Sequence, residues 1–343
     1  MPRYAPDAIQ ELTRSIFASA GTPADIADFM AYSLVLADLS GHPSHGVIRI
    51  PSYLEMIEAG RIVPDGRPEL LKESGTTALI SGNKGFGHFT GKYATEIAIA
   101  KAKSAGVALV GLCEVNHLGR VGQWSEMAVA EGVLAIMAVG GGAGAGAGAP
   151  FGGAARALST NPISAGVPNP AGPAIVMDFA TTSTAEGKVR VARDKGAQLP
   201  PGQILDKDGN PSTNPADFYA GGMMVPAAAH KGYGLALLVE ALGSAVTGTY
   251  ASASGLLMGG SIIAVDPGAL VGAETYGEGV RQLVARMHGT PPAGGFDQVL
   301  VPGEPESMNR ANNRAAGIEI ADATAANIRD AAAGLGVAAG PLA

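Results

Sequence analysis

Apolar positions near the start of the chain recur at helical spacing. In "PDAIQELTRSIFASAG" the side chains of Ile9, Leu12, Ile16 and Phe17 fall on one helical face, and Gly21 closes the segment. This pattern predicts an amphipathic helix that packs its apolar side against the rest of the protein.

A second helix is predicted for "TPADIADFMAYSLVLADLSG", with Thr22 as the N-cap and Pro23 as the first helical residue. A third helix is expected from about Pro43, with a disturbance at Pro51, because proline cannot donate to the helical hydrogen-bond ladder. The chain therefore begins with a helical region.

From "TALISG" onward, short runs typical of strands alternate with helical patterns, which predicts an α/β region. The expected strands are "TALISG", "VALVGLCEV", "LAIMAVG", "AIVMDFAT", "SIIAVD" and "QVLV", the last of which runs into the loop "PGEPE". The expected helices are "KYATEIAIAKAKSAG", "WSEMAVAEGV", "HKGYGLALLVEALGSAVTG" and "GEGVRQLVARMHG", followed by a helix pair in the tail.

The composition is that of a protein able to bury a large core: 343 residues, 47% apolar, with a mean hydropathy of +0.20. Its 50 glycines show no collagen period, so they are expected in tight turns and close backbone contacts. The Gly/Ala tract at residues 140–149 is interpreted as a loop or as a strand of small residues, and it could also give a cofactor access to the backbone.

The net charge and the cysteine content argue against several kinds of partner and site. A net charge of −7, a pI near 5.4 and the lack of any basic run argue against a nucleic-acid partner. The single cysteine, Cys113, excludes an intramolecular disulfide and a cysteine-cluster metal site, which fits a reducing cytoplasm. Because the sequence shows neither an apolar signal core nor a run long enough to cross a membrane, we expect a soluble cytoplasmic protein with no membrane partner.

The G-x-G-x-x-G fingerprint of a Rossmann nucleotide site does not occur in the sequence. Its nearest match is Gly85, Gly87 and Gly91, between a predicted strand and a helix, with Glu114 at the end of the next strand, where a ribose-binding acid would lie. A tight turn with close packing is favoured over a nucleotide site, because a lone glycine pattern is a weak signal.

The segment "GHPSHGVIRIPSY" spaces His42, His45, Arg49 and Tyr53 by three, four and four residues, which places them on one face if the segment is helical. They could form an exposed polar face without a role, or a zinc site, which would lack a third ligand and would be disfavoured beside Arg49. They could also form an active site, because an imidazole can supply a proton and a guanidinium can bind a carboxylate through two parallel hydrogen bonds. The last interpretation points to a pocket for a 2-oxo acid.

Further candidate residues lie elsewhere in the chain. His117, in "EVNHLGR", follows a predicted strand, where α/β proteins place ligands, and is a second candidate for proton transfer. His230 and Lys231 stand before a helix whose free N–H groups attract phosphate. Asp178, after a buried-type strand, could orient a histidine, bind a ribose or cap a turn.

Taken in order, these segments resemble the malate/L-lactate dehydrogenase family of NAD(P)-dependent oxidoreductases that lack a Rossmann fold. Relatives in this family include ureidoglycolate and sulfolactate dehydrogenases, 2,3-diketogulonate reductase and reductases of cyclic imino acids. The matching motifs, over about residues 5–320, are "GHPSHGVIRIPSYL", "NHLGRVGQW", "PFGG", "STNPIS", "VMDFATTSTAEGK", "LPPGQILDKDGNPSTNP", "AHKGYGLALLVEALGSAVTG" and "VPGEPE".

The resemblance implies hydride transfer between NAD or NADP and C2 of a 2-oxo or 2-hydroxy acid, in a homodimer. It also implies a non-Rossmann, mixed-sheet α/β domain for the cofactor, with a helical domain from the N-terminal region and later segments. The expected division is 1–74 for the helical part with the substrate-binding helix, 75–305 for the cofactor-binding domain and 306–343 for C-terminal helices that pack back on the N-terminal part. The glycines at 85, 87 and 91 then become a packing turn.

The resemblance also assigns roles to residues. His45 and Ser44 match the proton donor and its relay partner, Arg49 matches the clamp for the substrate carboxylate, and Tyr53 would close the pocket. His117 matches an acid/base and substrate-binding position of some members, so the principal acid/base is left open between His45 and His117. Asp178 is counted with the catalytic residues. The residues implied to bind the cofactor are Gly119, Arg120, Thr160, Asn161, Asp178, Phe179, Ala180, His230, Lys231, Gly303, Glu304 and Pro305; no metal is implied.

Two stretches depart from the family. Relatives carry polar residues between Val139 and Pro150, in some cases a lysine or an aspartate facing the substrate, whereas this chain has only Gly and Ala there. The stretch "TGTYASASGLLMGGSIIAV" also looks shortened. Because both changes remove polar groups, we expect a substrate that is bulkier or more apolar than malate. The near alternative is reduction of a cyclic 2-imino acid, and the remote one is a metal-dependent lyase or hydrolase that uses His42 and His45.

Overall fold

A computed structural model of the chain describes residues 2–142, 146–251 and 257–342. The helices are α1 (Pro6–Ser19), α2 (Ala24–Leu39), α3 (Ile50–Glu58), α4 (Gly87–Ala105), α5 (Gly122–Ala130), α6 (Glu186–Asp194), α7 (Pro215–Tyr219), α8 (His230–Glu240), α9 (Gly268–Val271), α10 (Ala273–His288), α11 (Glu304–Ala316) and α12 (Asp322–Gly334). The strands are β1 (Arg3–Tyr4), β2 (Glu69–Glu73), β3 (Thr77–Ser81), β4 (Val107–Val115), β5 (Leu134–Gly140), β6 (Ile163–Val167), β7 (Ile175–Phe179), β8 (Ile204–Leu205), β9 (Pro211–Ser212), β10 (Met223–Met224), β11 (Met258–Val265) and β12 (Ile318–Glu319).

Seven strands form a mixed sheet in the order β2-β3-β4-β11-β5-β6-β7. Strands β3 and β4 are parallel and are joined by α4, whereas the other neighbouring strands of this sheet are antiparallel. Strand β11, from late in the chain, lies between β4 and β5. The mixed-sheet α/β class expected from the sequence is confirmed.

The two largest apolar cores of the described residues belong to different parts of the chain. The first core joins helices from both ends of the chain, with Phe17 and Leu34 from the N-terminal part packed in the same cluster as Ile328 of α12. The second lies between the sheet and helices α4 and α5, around the buried Trp124. The helical part is therefore built from the N-terminal region and later segments, as expected, while the proposed boundaries at 74/75 and 305/306 stay a prediction.

The expectation of a third helix from Pro43 is wrong. Residues 43–45 and 47–49 each form a single 3-10 turn, and Gly46 between them has an extended backbone with φ −89° and ψ −152°. The α-helix begins only at Ile50, and Pro51 lies in its first turn, where a missing N–H leaves no hydrogen bond unmade. Pro51 therefore starts a helix and does not disturb one.

Three smaller expectations also differ from the structure. The N-cap of α2 is Pro23, one residue after Thr22. Residues 298–301 are irregular instead of forming a strand, and the "PGEPE" segment begins helix α11 at Glu304. Strand β7, which holds Asp178, is a partly exposed edge strand and not a buried one.

Within the described ranges, no helix is both long and apolar enough to span a membrane.

The glycines at 85, 87 and 91 allow close packing at the start of α4. A Cβ on Gly87 would overlap the backbone carbonyl oxygens of Asn116 and His117, and a Cβ on Gly91 would lie 2.7 Å from Trp124 Cε2. The first turn of α4 therefore lies directly against the segment that follows β4. This geometry supports the packing-turn interpretation over a nucleotide site.

Replacing Gly87 by Ala is expected to lower the free energy of unfolding by about 1–3 kcal/mol, because the added methyl group must displace two backbone carbonyls. The matched control is Gly75→Ala, since no atom lies within 4 Å of the Cβ position of Gly75. Urea denaturation followed by circular dichroism measures both variants. Equal stabilities of the two would contradict the packing described here.

Candidate active site

The segment after β4 is fixed by one buried amide. The side-chain amide of Asn116 donates hydrogen bonds to the backbone carbonyls of Arg61, Lys84 and Gly85, at 3.2, 3.1 and 3.0 Å. These bonds tie the end of the strand to two neighbouring segments. His117, the next residue, is therefore held in a defined position although it lies outside regular secondary structure.

One cluster joins His45 and Tyr53 to His117, which follows Tyr53 by 64 residues in the chain. The hydroxyl of Tyr53 lies 2.7 Å from Nδ1 of His117. The rings of His45 and His117 stack, with centroids 5.6 Å apart and an interplanar angle of 21°. The side chain of Tyr53 is buried, whereas both histidines are half-buried, so the imidazoles lie on the accessible side of the cluster.

His88 completes the cluster and was missed by the sequence analysis. Its ring packs edge-on against Tyr53 at 5.7 Å and against His117 at 6.2 Å, and it is 1% exposed. Gly119, with φ +70°, makes room for it, because a Cβ there would overlap the His88 ring. The available signal was the β3-α4-β4 unit, which places the first turn of α4 beside the end of β4.

Arg49 lies beside the cluster with much of its guanidinium free. Its Nε donates to the backbone carbonyl of Ser44 at 2.6 Å, while the Ser44 hydroxyl lies 2.9 Å from Nδ1 of His45. Among the described residues, neither terminal nitrogen of Arg49 has a hydrogen-bond partner. This half-buried fork can therefore bind a planar anion through two parallel hydrogen bonds.

His42 does not join the cluster. Its Nε2 lies 3.5 Å from a carboxylate oxygen of Glu306 on α11, whereas His45 contacts Ser44 and His117. The expected common helical face for His42, His45, Arg49 and Tyr53 is therefore wrong, because the backbone leaves helical geometry at Gly46. In the described part of the chain, no group of three or more potential ligands is arranged to hold a metal ion.

Burial keeps the clustered side chains neutral. Burial and the positive charge of Arg49 lower the pKa of His45 to about 4, and burial lowers the pKa of His88 to about 3. The pKa of His117 is lowered well below its usual value by burial and then by Arg49. Burial also raises the pKa of Tyr53, so its phenol stays protonated. Arg49 is thus a positive charge surrounded by neutral rings.

Asp178 lies near the end of β7, beside the segment that holds His117. Its Oδ2 accepts a hydrogen bond from the backbone N–H of Gly122 at 2.7 Å, and burial raises its pKa. Arg120 is 4% exposed and forms an ion pair with Glu126, which also pairs with Arg310 of α11 at 2.9 Å. The guanidinium of Arg120 is therefore engaged within the protein.

The Thr160–Asn161 turn lies alongside the end of β7. The carbonyl oxygen of Thr160 accepts from the backbone N–H of Thr181 at 3.0 Å, which places this turn next to Phe179 and Ala180. Asn161 is fully buried and has a φ of +40°, a region that non-glycine residues rarely occupy. Among the described residues its Oδ1 has no hydrogen-bond partner.

Glu240, at the end of α8, ties this turn to the start of the Gly/Ala tract. Its carboxylate accepts from the side-chain amide of Asn161 and from the backbone N–H groups of Gly141 and Gly142, the latter two at 3.1 and 3.0 Å. Residues 143–145 of the tract lie outside the described residues. The end of β5, the Thr160–Asn161 turn and α8 are thus held together by one carboxylate.

His230 and Lys231 are the first two residues of α8 and do not precede it. The two residues before them, Ala228 and Ala229, have positive φ values of +49° and +58°, an unusual conformation for alanine. The ring of His230 packs edge-on against Phe151, with centroids 6.1 Å apart. This helix start is therefore separate in its contacts from the imidazole cluster.

The Gly303–Pro305 segment packs on the start of β7, at the other end from Asp178. The backbone N–H of Val176 donates to the carbonyl of Pro302, and Gly303 has a φ of +97°. Glu304 pairs with His288 at 3.0 Å and accepts from the N–H of Val301. The structure thus places the carboxylate of Glu304 against His288 and the backbone of Val301.

The chain is similar to known proteins over most of its length. The sequence profile described as malate/L-lactate dehydrogenase matches residues 4–329. The L-lactate dehydrogenase of Cupriavidus necator is 35% identical over 311 residues, which cover 88% of this chain and 89% of that protein. The solved sulfolactate dehydrogenase of Methanocaldococcus jannaschii superposes with a TM-score of 0.90 at 34% identity, over 98% of each chain. A Δ1-pyrroline-2-carboxylate/Δ1-piperideine-2-carboxylate reductase of Pseudomonas syringae is 30% identical over 94% of each chain.

The fold and these similarities define an oxidoreductase. The chain belongs to the malate/L-lactate dehydrogenase family, whose members are NAD(P)-dependent dehydrogenases.

Replacing Arg49 by Gln is expected to raise the pKa of His45 above about 4, because the guanidinium disfavours the protonated imidazole. The pKa should stay below the usual histidine value, since the ring remains buried. A proton NMR titration of the histidine ring signals measures the change, with Arg286→Gln on the exposed face of α10 as the control. An unchanged pKa of His45 would contradict the electrostatic account of this cluster.

Proposed function

We propose that the protein reduces a 2-oxo acid to the corresponding 2-hydroxy acid with NADH or NADPH, and catalyses the reverse oxidation. The observation that carries this proposal is the free fork of Arg49 beside the stacked rings of His45 and His117. A 2-oxo acid carries a carboxylate next to a carbonyl, so it presents an anion and a proton-accepting oxygen a short distance apart.

Arg49 anchors the substrate carboxylate in this proposal. Its Nε is held by the carbonyl of Ser44, so the side chain is oriented before a ligand arrives. The two terminal nitrogens remain for the carboxylate oxygens, in the planar arrangement that favours two parallel hydrogen bonds. A pre-oriented guanidinium loses less conformational entropy when it binds.

His45 supplies the proton in this mechanism. Arg49 is one of the causes that lower the pKa of His45 in the free protein. A bound carboxylate compensates that positive charge, so the pKa of His45 rises when substrate is present and the ring can take up a proton. His45 then gives this proton to the substrate oxygen, and Ser44 holds the other side of the ring.

His117 polarises the substrate carbonyl in the same mechanism. Both Tyr53 and His117 are neutral, and Tyr53 has no other hydrogen-bond acceptor in the part of the chain that the structure describes. The phenol therefore donates to Nδ1 of His117, which leaves the ring proton on Nε2. That N–H can donate a hydrogen bond to the carbonyl oxygen as negative charge develops on it.

The residues at the end of β7 and the start of α8 fit a nicotinamide dinucleotide. Among the described residues, the side-chain oxygen of Asn161 is buried and has no hydrogen-bond partner. The positive φ angles of Ala228 and Ala229 precede the start of α8, which lies at the surface and has free N–H groups that suit a phosphate. When bound, the nicotinamide supplies the hydride that reduces C2. We assign contact with this group to Thr160, Asn161, Phe179 and Ala180, and contact with its phosphates to His230 and Lys231.

The remaining predicted cofactor residues receive supporting roles in this proposal. Arg120 forms an ion pair with Glu126, and Glu304 contacts His288 and the backbone N–H of Val301, so we assign both residues to holding the surrounding segments in place. Asp178 fixes the backbone of Gly122 beside the site. Gly119 and Gly303 are required for their positive φ angles, and Pro305 lies in the first turn of α11.

The Gly/Ala tract supports a preference for an apolar substrate. A Cβ on Gly140 would overlap the hydroxyl of Ser244, and one on Gly141 would lie 2.6 Å from the Cβ of Ser159. Side chains are therefore excluded at these two positions, and the sequence of the whole tract supplies no polar side chain. We propose that the substrate side chain is bulkier or more apolar than that of malate.

A cyclic 2-imino acid is the second candidate substrate. The carboxylate clamp would serve a C=N group as well as a C=O group, and one relative that is 30% identical carries a reductase name of this kind. The two candidate substrates differ in the group that receives the hydride, which is C=O in a 2-oxo acid and C=N in a cyclic 2-imino acid.

One panel tests these proposals together. Pyruvate, oxaloacetate, a branched 2-oxo acid and Δ1-piperideine-2-carboxylate are each mixed with NADH and with NADPH, and absorbance of the reduced nicotinamide is followed. The branched 2-oxo acid is expected to be reduced with the highest kcat/KM, because the tract offers no polar partner to a second carboxylate. Faster turnover of oxaloacetate than of the branched acid would contradict the apolar preference, and faster turnover of the imine would establish the second candidate.

We also propose that the protein acts as a homodimer in the cytoplasm. Helix α8 and its continuation expose Leu237, Leu238 and Val246, which are 47%, 53% and 57% exposed, and an apolar stripe of this kind is typical of a subunit interface. A dimeric mass is expected in light scattering at micromolar concentration, and Leu238→Glu should lower it. A monomeric mass for the unmodified chain would contradict the proposal.

A further inference from the structure

Asp38 is a buried carboxyl group to which the proposed reaction assigns no role. It is the second-last residue of α2, and it is 8% exposed. In the part of the chain that the structure describes, it takes part in no ion pair. Burial of a carboxyl group without a charged partner is unfavourable, so such a group calls for a structural or functional reason.

The carboxyl group of Asp38 lies where a side chain of Gly46 would be. A Cβ built on Gly46 would overlap Cγ and both carboxyl oxygens of Asp38. The backbone of Gly46 has a negative φ of −89°, which residues other than glycine can adopt. A side chain at this position is therefore excluded for lack of space.

Asp38 also binds the backbone of the next residue. Its Oδ2 accepts a hydrogen bond from the N–H of Val47 at 2.9 Å. Gly46 and Val47 connect the turn that ends at His45 with the turn that ends at Arg49, and the N–H of Arg49 donates back to the carbonyl of Gly46 at 3.0 Å. One side chain from α2 thus contacts both residues that set the distance between the imidazole and the guanidinium.

We propose that Asp38 is a positioning residue: it holds the His45–Arg49 segment in its active geometry by occupying the side-chain space of Gly46 and by accepting the N–H of Val47. This inference rests on the proposed roles of His45 and Arg49. A reacting group that is displaced by about 1 Å can cost about 100-fold in rate, so a residue that touches no substrate can control turnover in this way.

The uncharged form of the carboxyl group is sufficient for this role. Burial raises the pKa of Asp38 to about 7, and the N–H of Val47 is the group that opposes this rise. A protonated carboxyl group keeps a carbonyl oxygen that can accept from Val47. Asparagine has nearly the same shape and the same acceptor, so Asp38→Asn should preserve the positioning, whereas Asp38→Ala should abolish it.

The test is a double-mutant cycle between Asp38 and Gly46. Asp38→Ala is expected to lower kcat/KM for the best 2-oxo acid of the panel by about 100-fold, through both a lower kcat and a higher substrate KM. The Kd for NADH or NADPH, measured by fluorescence of the nicotinamide, should not change. Gly46→Ala should be similarly harmful in the natural chain, but it should cost little when Asp38 is already Ala, because the methyl group then enters vacated space.

Two controls separate positioning from a general loss of stability. Asp38→Asn should restore most of the kcat/KM that Asp38→Ala loses. Ser33→Ala removes another buried hydrogen-bonding group from α2, the partner of the Gln123 amide at 2.9 Å, and should leave the kinetic constants unchanged. Hydrogen–deuterium exchange of the backbone over residues 43–49 should rise in Asp38→Ala and stay low in Asp38→Asn and Ser33→Ala.

Several results would overturn the inference. It fails if Asp38→Ala keeps the natural kcat/KM, if Asp38→Asn is as impaired as Asp38→Ala, or if Gly46→Ala costs the same factor in both backgrounds. If the unmodified protein reduces none of the 2-oxo acids while the exchange pattern is as expected, the proposed function fails and the positioning of the segment by Asp38 stands.

Discussion

The hydrogen bond between Tyr53 and His117 joins two parts of the chain that have separate apolar cores. Tyr53 belongs to the core that the N-terminal helices share with α12, and His117 follows β4, whose side chains belong to the core under the sheet. The arrangement of the site depends on this contact, because His45 stacks on the ring that Tyr53 holds, and His88 packs against both partners. The cluster of aromatic and imidazole rings therefore exists only where the two parts meet.

Electrostatics explains why this meeting place suits an anion. The imidazoles are kept neutral by burial, so they do not compensate a ligand charge, and Arg49 is left with a free fork. In the proposed mechanism, an arriving carboxylate compensates that charge and at the same time makes protonation of His45 easier. Substrate binding and proton supply would then be coupled through one guanidinium.

The sequence was informative wherever a local pattern decides the structure. Helix α1 and five of the seven strands of the large sheet (β3, β4, β5, β7 and β11) were predicted from local patterns, whereas β2 and β6 were not. Residue chemistry and motif order also singled out His45 and Arg49 as candidates. The third helix begins later than expected because the backbone is extended at Gly46, beside the carboxyl group of Asp38, and the periodicity of the segment does not show this contact. His88 was missed because its role depends on the packing of α4 against the end of β4, and the place of β11 between β4 and β5 depends on pairing over a long distance in the chain.

The protonation state of His117 tests the account most directly. In protein with labelled imidazole nitrogens, NMR shifts distinguish the two neutral tautomers and the imidazolium. The ring of His117 is expected to be neutral at neutral pH, with its proton on Nε2 and a bare Nδ1 that accepts from Tyr53, and Tyr53→Phe is expected to remove this preference. A proton on Nδ1, or a charged ring at neutral pH, would contradict the account.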